Sequence, residues 1–136
     1  MRRSIWAFSV AVVFFFACLA EAKEIPMISD PSVPAAAGSV SLNKDKKNQN
    51  FKWKVQVHHL AKPTSLNPPK QTYVVWIQTK DGQPENQGQL RVNDKLEGSL
   101  ENNSPREQFD IFITAEDNPA TPSPSGSSLL RATVAP

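Results

Sequence analysis

From Phe51 to His58 apolar and polar residues alternate one by one, Phe51, Trp53, Val55 and Val57 against Lys52, Lys54, Gln56 and His58. Successive side chains of a strand point to opposite faces, so this stretch predicts a strand that buries aromatics on one side and wets the other. A preceding strand over residues 39–43 is expected to pair with it across the polar stretch 44–50. Thr72–Gln78 carries Tyr73, Val75 and Ile77 on one face and Val74 and Trp76 on the other. Apolar residues on both faces predict a central strand, or a surface that something else covers.

Residues 89–92 and 95–100 read as a hairpin around Asn93-Asp94, side chains that tolerate the positive φ of tight turns. Residues 109–115 form a further strand, with Phe109, Ile111, Ile113 and Ala115 inward and Phe112 on the opposite face. A last strand spans 129–134, with Leu130, Ala132 and Val134 inward. Short apolar stretches recur every dozen residues, separated by Pro, Gly, Asn and Asp. The pattern predicts an all-β fold: an antiparallel β-sandwich of about seven strands, Ig-like with Greek-key connections. Ten of the 12 prolines lie between Pro31 and Pro124, which leaves no room for a long helix.

The first 22 residues have another character. Arg2 and Arg3 precede an apolar run from Ile5 to Ala20, and Ala20-Glu21-Ala22 is a small-residue cleavage pattern that makes Lys23 the first mature residue. The run is shorter than the roughly twenty residues a bilayer-spanning helix needs, so the expectation is a removed export signal, with no membrane span after processing. The destination is then the periplasm or the medium. Phe15-Phe16-Ala17-Cys18 offers an alternative, a lipoprotein box in which Cys18 is lipidated and the protein is held at an outer surface. Residues 23–37, with Pro26, Pro31, Pro34 and three alanines, show no periodic apolar face and read as an extended tether before a domain over 38–136.

Charge narrows the choice of partner. From Lys23 onward 13 basic residues stand against 12 acidic ones, and such a balance gives no reason to expect nucleic acid. Without Cys18 the mature chain has no cysteine and no disulfide, so its core must hold it together.

Tyr73-Val74-Val75-Trp76-Ile77, Gly82, Gly88-Gln89-Leu90, Phe109-Asp110-Ile111-Phe112-Ile113-Thr114-Ala115-Glu116 and Pro124-Ser125-Gly126 together show a further pattern. In their order these short motifs resemble the extracytoplasmic C-terminal domain of anti-sigma-K factor-type proteins, over Tyr73 to Val134. The resemblance implies a sandwich outside the cytoplasm. The family's sigma-binding segment, with its His-Cys-Cys zinc motif, and its separate membrane span have no counterpart in this sequence, so sigma-factor inhibition is not implied. The family's Thr-x-Glu element falls on Thr114 and Glu116 and places Glu116 at a loop junction, where bonding backbone amides is the expected role.

Few residues offer chemistry. His58 and His59 are adjacent on a strand and point opposite ways, so they do not converge on one metal ion. No Gly-x-Ser-x-Gly turn appears, and Glu116-Asp117 reads as a loop junction more readily than as an acid/base pair. Lys44, Lys46, Lys47, Lys52 and Lys54 read as a solvated hairpin tip. No catalytic residue, cofactor or metal is therefore assigned. The expected function is a non-enzymatic exported module that binds or senses a protein or another envelope component. The alternative is a small periplasmic enzyme, or a metal-binding protein using His58 and His59. Trp76 and Phe112, of outward parity, must be covered by the proline-rich loop after them, by the tether or by another molecule; with Glu116, Pro122 and Pro124 of that loop they are the expected partner-binding residues.

Overall fold

The structure, a computed structural model, describes residues 23–44, 47 and 50–135. The expected export signal, its cleavage site and Cys18 lie outside them. In chain order the strands are β1 (Lys23–Pro26), β2 (Ile28–Ser29), β3 (Ala37–Lys44), β4 (Phe51–His58), β5 (Thr72–Gln78), β6 (Glu85–Leu90), β7 (Gly98–Ser104), β8 (Phe109–Glu116) and β9 (Leu130–Val134). They form two antiparallel sheets: sheet A in the order β1-β3-β4-β7, and sheet B in the order β2-β9-β8-β5-β6. Among the described residues the only helical turn is 3-10, at Pro63–Ser65. The chain crosses between sheets from β1 to β2, from β2 to β3, from β4 to β5, from β6 to β7 and from β7 to β8. That places β3, β4 and β7 against β9, β8, β5 and β6, the Ig-like Greek-key arrangement.

Alternation along β4 does what its period predicts. Trp53, Val55 and Val57 are buried between the sheets, while Lys52 and His58 face water. Phe51, at the strand's end, is half-buried. Tyr73, Val75, Ile77, Phe109, Ile111 and Ile113 meet them from sheet B. Each fully buried aliphatic side chain contributes roughly 1.5–3 kcal/mol relative to exposure.

Three expectations change. Residues 23–37 are not a free tether. Lys23 to Pro26 pair with β3, and Ile28 and Ser29 pair with β9. Between them the chain switches sheets at Met27, whose N–H donates to Gly38 O at 2.8 Å. Met27, Val33 and Ala36 are buried at irregular intervals, because a segment that serves two sheets in turn follows the period of neither.

The expected hairpin around Asn93-Asp94 is a corner between the two sheets. β6 ends at Leu90, one bridge joins Val92 to Gly98, and β7 then runs on sheet A beside β4. Asn93 Oδ1 accepts from the N–H groups of Lys95 and Glu97, and Leu96 takes φ 61°, so the turn closes tightly and re-aims the chain. A Cβ on Gly98 would stand 2.6 Å from Arg91 O, so the close approach at this corner requires glycine.

His59 does not share the strand with His58, which is that strand's last residue. It takes φ 56° and is exposed, and Leu60 occupies the buried position instead.

Candidate functional site

β5 and β8 lie side by side at the centre of sheet B, with Trp76 opposite Phe112, Val74 opposite Thr114 and Thr72 opposite Glu116. All six side chains belong to the parity that turns away from the sandwich interior. The loop from 117 to 128 folds back over this face like a strap. Beneath it Val74, Trp76 and Phe112 form a second, smaller apolar cluster, with Val74 and Trp76 fully buried. Of the coverings that outward aromatics require, this chain uses its own loop. Arg131 closes the remaining side, its guanidinium carbon 4.9 Å from the centre of the Phe112 ring.

Polar groups hold the strap down at both ends. Trp76 Nε1 donates to Thr114 Oγ1 at 2.8 Å, and the Thr114 hydroxyl donates to Glu116 Oε2. From the strap, Ser125 N–H donates to Glu116 Oε1 and Oε2 at 3.1 and 3.2 Å, and the Ser125 hydroxyl donates to Oε1. Burial by itself pushes the Glu116 carboxyl up. The hydrogen bonds from Ser125, Thr114 and the Gly126 N–H outweigh it and leave the group below the ordinary glutamate range, an ionised carboxylate at 1% exposure. Asn86, on β6, clamps the other half: its Nδ2 donates to Pro119 O and Thr121 O, each at 2.9 Å. Thr121 N–H donates to Asn118 O inside the strap, which shapes its turn.

The sequence-predicted residues therefore separate into two groups. Trp76, Phe112 and Glu116 are brought together, but beneath the strap, where a partner reaches them only if the strap moves. Pro122 is exposed and Pro124 half-buried, on the strap itself. Glu116 accepts backbone amides at the loop junction, the role the Thr-x-Glu element suggests. Asn86, Thr114 and Ser125 carry the clamp, and none of them is among the residues expected from sequence to bind a partner. Thr114, two residues before Glu116 on the same strand face, was the one with a signal. Asn86 reaches its partners from more than thirty residues away and no local pattern marks it, whereas Ser125 stands nine residues after Glu116 in the proline-rich loop.

Elsewhere, His58 Nδ1 stands 3.9 Å from Glu97 Oε1, both side chains being half exposed, and His59 lies beyond the strand's end at φ 56°. Among the described residues no group of three or more His, Cys, Asp or Glu converges as a metal site. At the end of the sandwich away from the clamped carboxylate, Gln78, Asp81, Glu85, Arg106, Asp110 and Thr133 line an open cleft of about 810 Å³. Arg106 Nη1 there donates to Thr79 Oγ1, and Thr133 Oγ1 donates to Asp110 Oδ1. Charges of both signs line it, and they favour no one class of ligand. No known protein family matches the sequence, and no curated protein matches it.

Proposed function

We propose that this chain is a non-enzymatic exported sandwich that binds a protein or another component of the cell envelope, similar in role to the extracytoplasmic domain of anti-sigma-K factor-type proteins. The observation that carries the reading is the clamped strap. Its underside is tied to sheet B by Glu116 and Asn86, while Asp117, Asn118, Pro119, Ala120, Pro122 and Ser123 stand exposed along its crown. A surface loop ordered before binding pays less conformational entropy when a partner arrives. The same hydrogen bonds occupy both oxygens of Glu116, which supports a role in shaping the loop over one in proton transfer. The export signal expected over residues 1–22 supports the location.

A photo-crosslinking residue at Pro122 tests the proposal in cells, with the same residue at Lys54, on the outer face of sheet A, as control. A discrete adduct with an envelope component from Pro122 and none from Lys54 is the expected result. Equal or absent labelling from both positions in correctly exported protein counts against the strap as the binding surface.

A further inference from the structure

The described residues present four sheet edges, and three of them are blunted. β2 has two residues, and β1 has four and closes on Pro26. β6 is bent by a bulge opposite Val75 and Trp76, with Gly88 at φ 131°. Its own side chains also fill part of its edge: Asn86 Oδ1 accepts from Gly88 N–H, and Gln87 Nε2 donates to Glu85 O. β7 differs. It is seven residues long, in unbroken register with β4, and carries no proline or lysine. Natural sheets blunt such edges to prevent pairing with other chains, so an unblunted one is a ready template.

The direction of its backbone groups follows from the ladder. Met27 N–H donates to Gly38 O, so the even-numbered residues of β3 turn toward β1 and the odd-numbered ones toward β4. Carried through the register, β4 uses its even positions on β3 and its odd ones on β7, and β7 uses its even positions on β4. Ser99, Glu101 and Asn103 therefore turn their N–H and C=O groups outward. Asn103 shows this independently, because its N–H donates to Asn102 Oδ1 at 2.8 Å instead of to β4. The edge beside Glu97 is closed by Asn93, whose N–H donates to Glu97 O. What stays open is the N–H and C=O of Glu101 and the C=O of Asn103; the Asn103 N–H is held by the neighbouring Asn102 side chain, which a pairing strand has to displace.

We propose that this edge pairs antiparallel with β7 of a second copy of the chain, about a two-fold axis at Asn102. Outward residues must meet outward residues, which allows shifts of two only. One such shift sets Glu101 against the partner's Glu101, two like charges directly opposed, and a further one sets Asn103 against the partner's Glu97, whose C=O Asn93 already holds. A shift the other way sets Glu101 against the partner's Pro105, which has no N–H to donate. The remaining register places Glu101 opposite the partner's Asn103 and Asn102 opposite the partner's Asn102. Lys52 lies beside Asn103 in the sheet and stands 3.6 Å from Glu101 within one copy. In this register Glu101 meets the partner's Lys52 as well, so the charges complement each other twice across the axis. The pairing uses up the open edge in both copies, and the other edges are blunted, so it closes at a dimer and does not grow into a fibre.

The test is sedimentation equilibrium of the purified chain from micromolar to millimolar concentration. A reversible monomer–dimer equilibrium is expected. Asn103→Pro removes an outward N–H that β4 does not use, so the sandwich should keep its circular dichroism while the dimer weakens roughly 30-fold, as two hydrogen bonds are lost about the axis. Glu101→Lys and Lys52→Glu supply a second arm. Each variant alone should stay monomeric, and an equimolar mixture should form the heterodimer, because the mixture restores opposite charges across the axis. A chain that remains monomeric throughout overturns the proposal and leaves the edge to a strand of another polypeptide. So does a dimer that Asn103→Pro leaves intact, or a mixture that associates no better than its components.

Discussion

The indole N–H of Trp76 reaches Thr114 Oγ1 at 2.8 Å on the face of sheet B turned away from the interior, and the same hydroxyl donates a hydrogen bond to Glu116 Oε2. One threonine thus satisfies a buried donor and a buried acceptor at once. An apolar strand position without a hydroxyl would leave both groups short of a partner, and buried polar groups without partners are costly.

Thr114→Val keeps the shape and removes the hydroxyl. The expected loss is about 1–3 kcal/mol, the penalty for orphaning a buried donor and weakening the contacts of a buried carboxylate. Urea denaturation at neutral pH measures it, and a change within a few tenths of a kcal/mol would mean that the relay adds nothing to stability.

Glu116 also sets an acid dependence. Its folded-state carboxyl is held below the ordinary range, so the folded protein prefers the ionised form more strongly than the unfolded chain does. The resulting stability is present at neutral pH and is lost as pH falls from about 5 downward through the folded value. Glu116→Gln removes this contribution. Melting temperatures from neutral to acid pH should fall less steeply for the variant than for the parent; parallel curves would contradict the assignment.

Tyr73 sets the opposite limit. Burial pushes its phenol up to about 12, and its hydroxyl donates to Ala61 O. The folded state favours the protonated phenol, so the contribution is intact below about pH 10 and fades as pH rises toward the folded value. The chain has one tyrosine, so tyrosinate absorbance reports this group alone. Ionisation near pH 10 in the folded protein would show the ring to be accessible.

Removing the second clamp should loosen the strap. In a background where Trp6 and Trp53 are phenylalanine, Trp76 emission should be blue-shifted and resist iodide. Asn86→Ala, which deletes the bonds to Pro119 O and Thr121 O, should raise the quenching constant without unfolding the sandwich. An unchanged constant would place the whole hold on Glu116.

Trp53 tests the core. It is fully buried, and its Nε1 has no hydrogen-bond partner among the described residues. Trp53→Ala should cost about 3–5 kcal/mol. Trp53→Phe should cost much less, below about 1.5 kcal/mol, because the smaller ring also removes an unsatisfied donor. A similar loss for both variants would mean that the indole makes a contact essential to the fold.

The chain's residue order alone determined the sandwich, because a period of two with one apolar face is a local property. Phe51 to Val57 reveals its inward face without reference to any other segment, whereas Tyr73 to Ile77, apolar on both faces, reveals that both faces are covered. The outward parity of Trp76 and Phe112 was legible too, and with it the need for a cover. The identity of that cover was not. It depends on Asn86 meeting Pro119 and Thr121, and on Ser125 meeting Glu116. Asn86 meets the strap across more than thirty residues, and nothing in its local sequence marks it for that bond.

Tertiary structure also decided the fate of the N-terminal stretch. Met27, Val33 and Ala36 look unpatterned because Lys23 to Pro26 serve sheet A and Ile28 and Ser29 serve sheet B, so no single period covers them. The corner at Asn93 went the same way. Asn-Asp predicts a turn, but whether the next strand stays on its sheet or crosses to the other depends on β4 having a free side for β7. That is a property of the assembled sheets, which no stretch of sequence holds on its own.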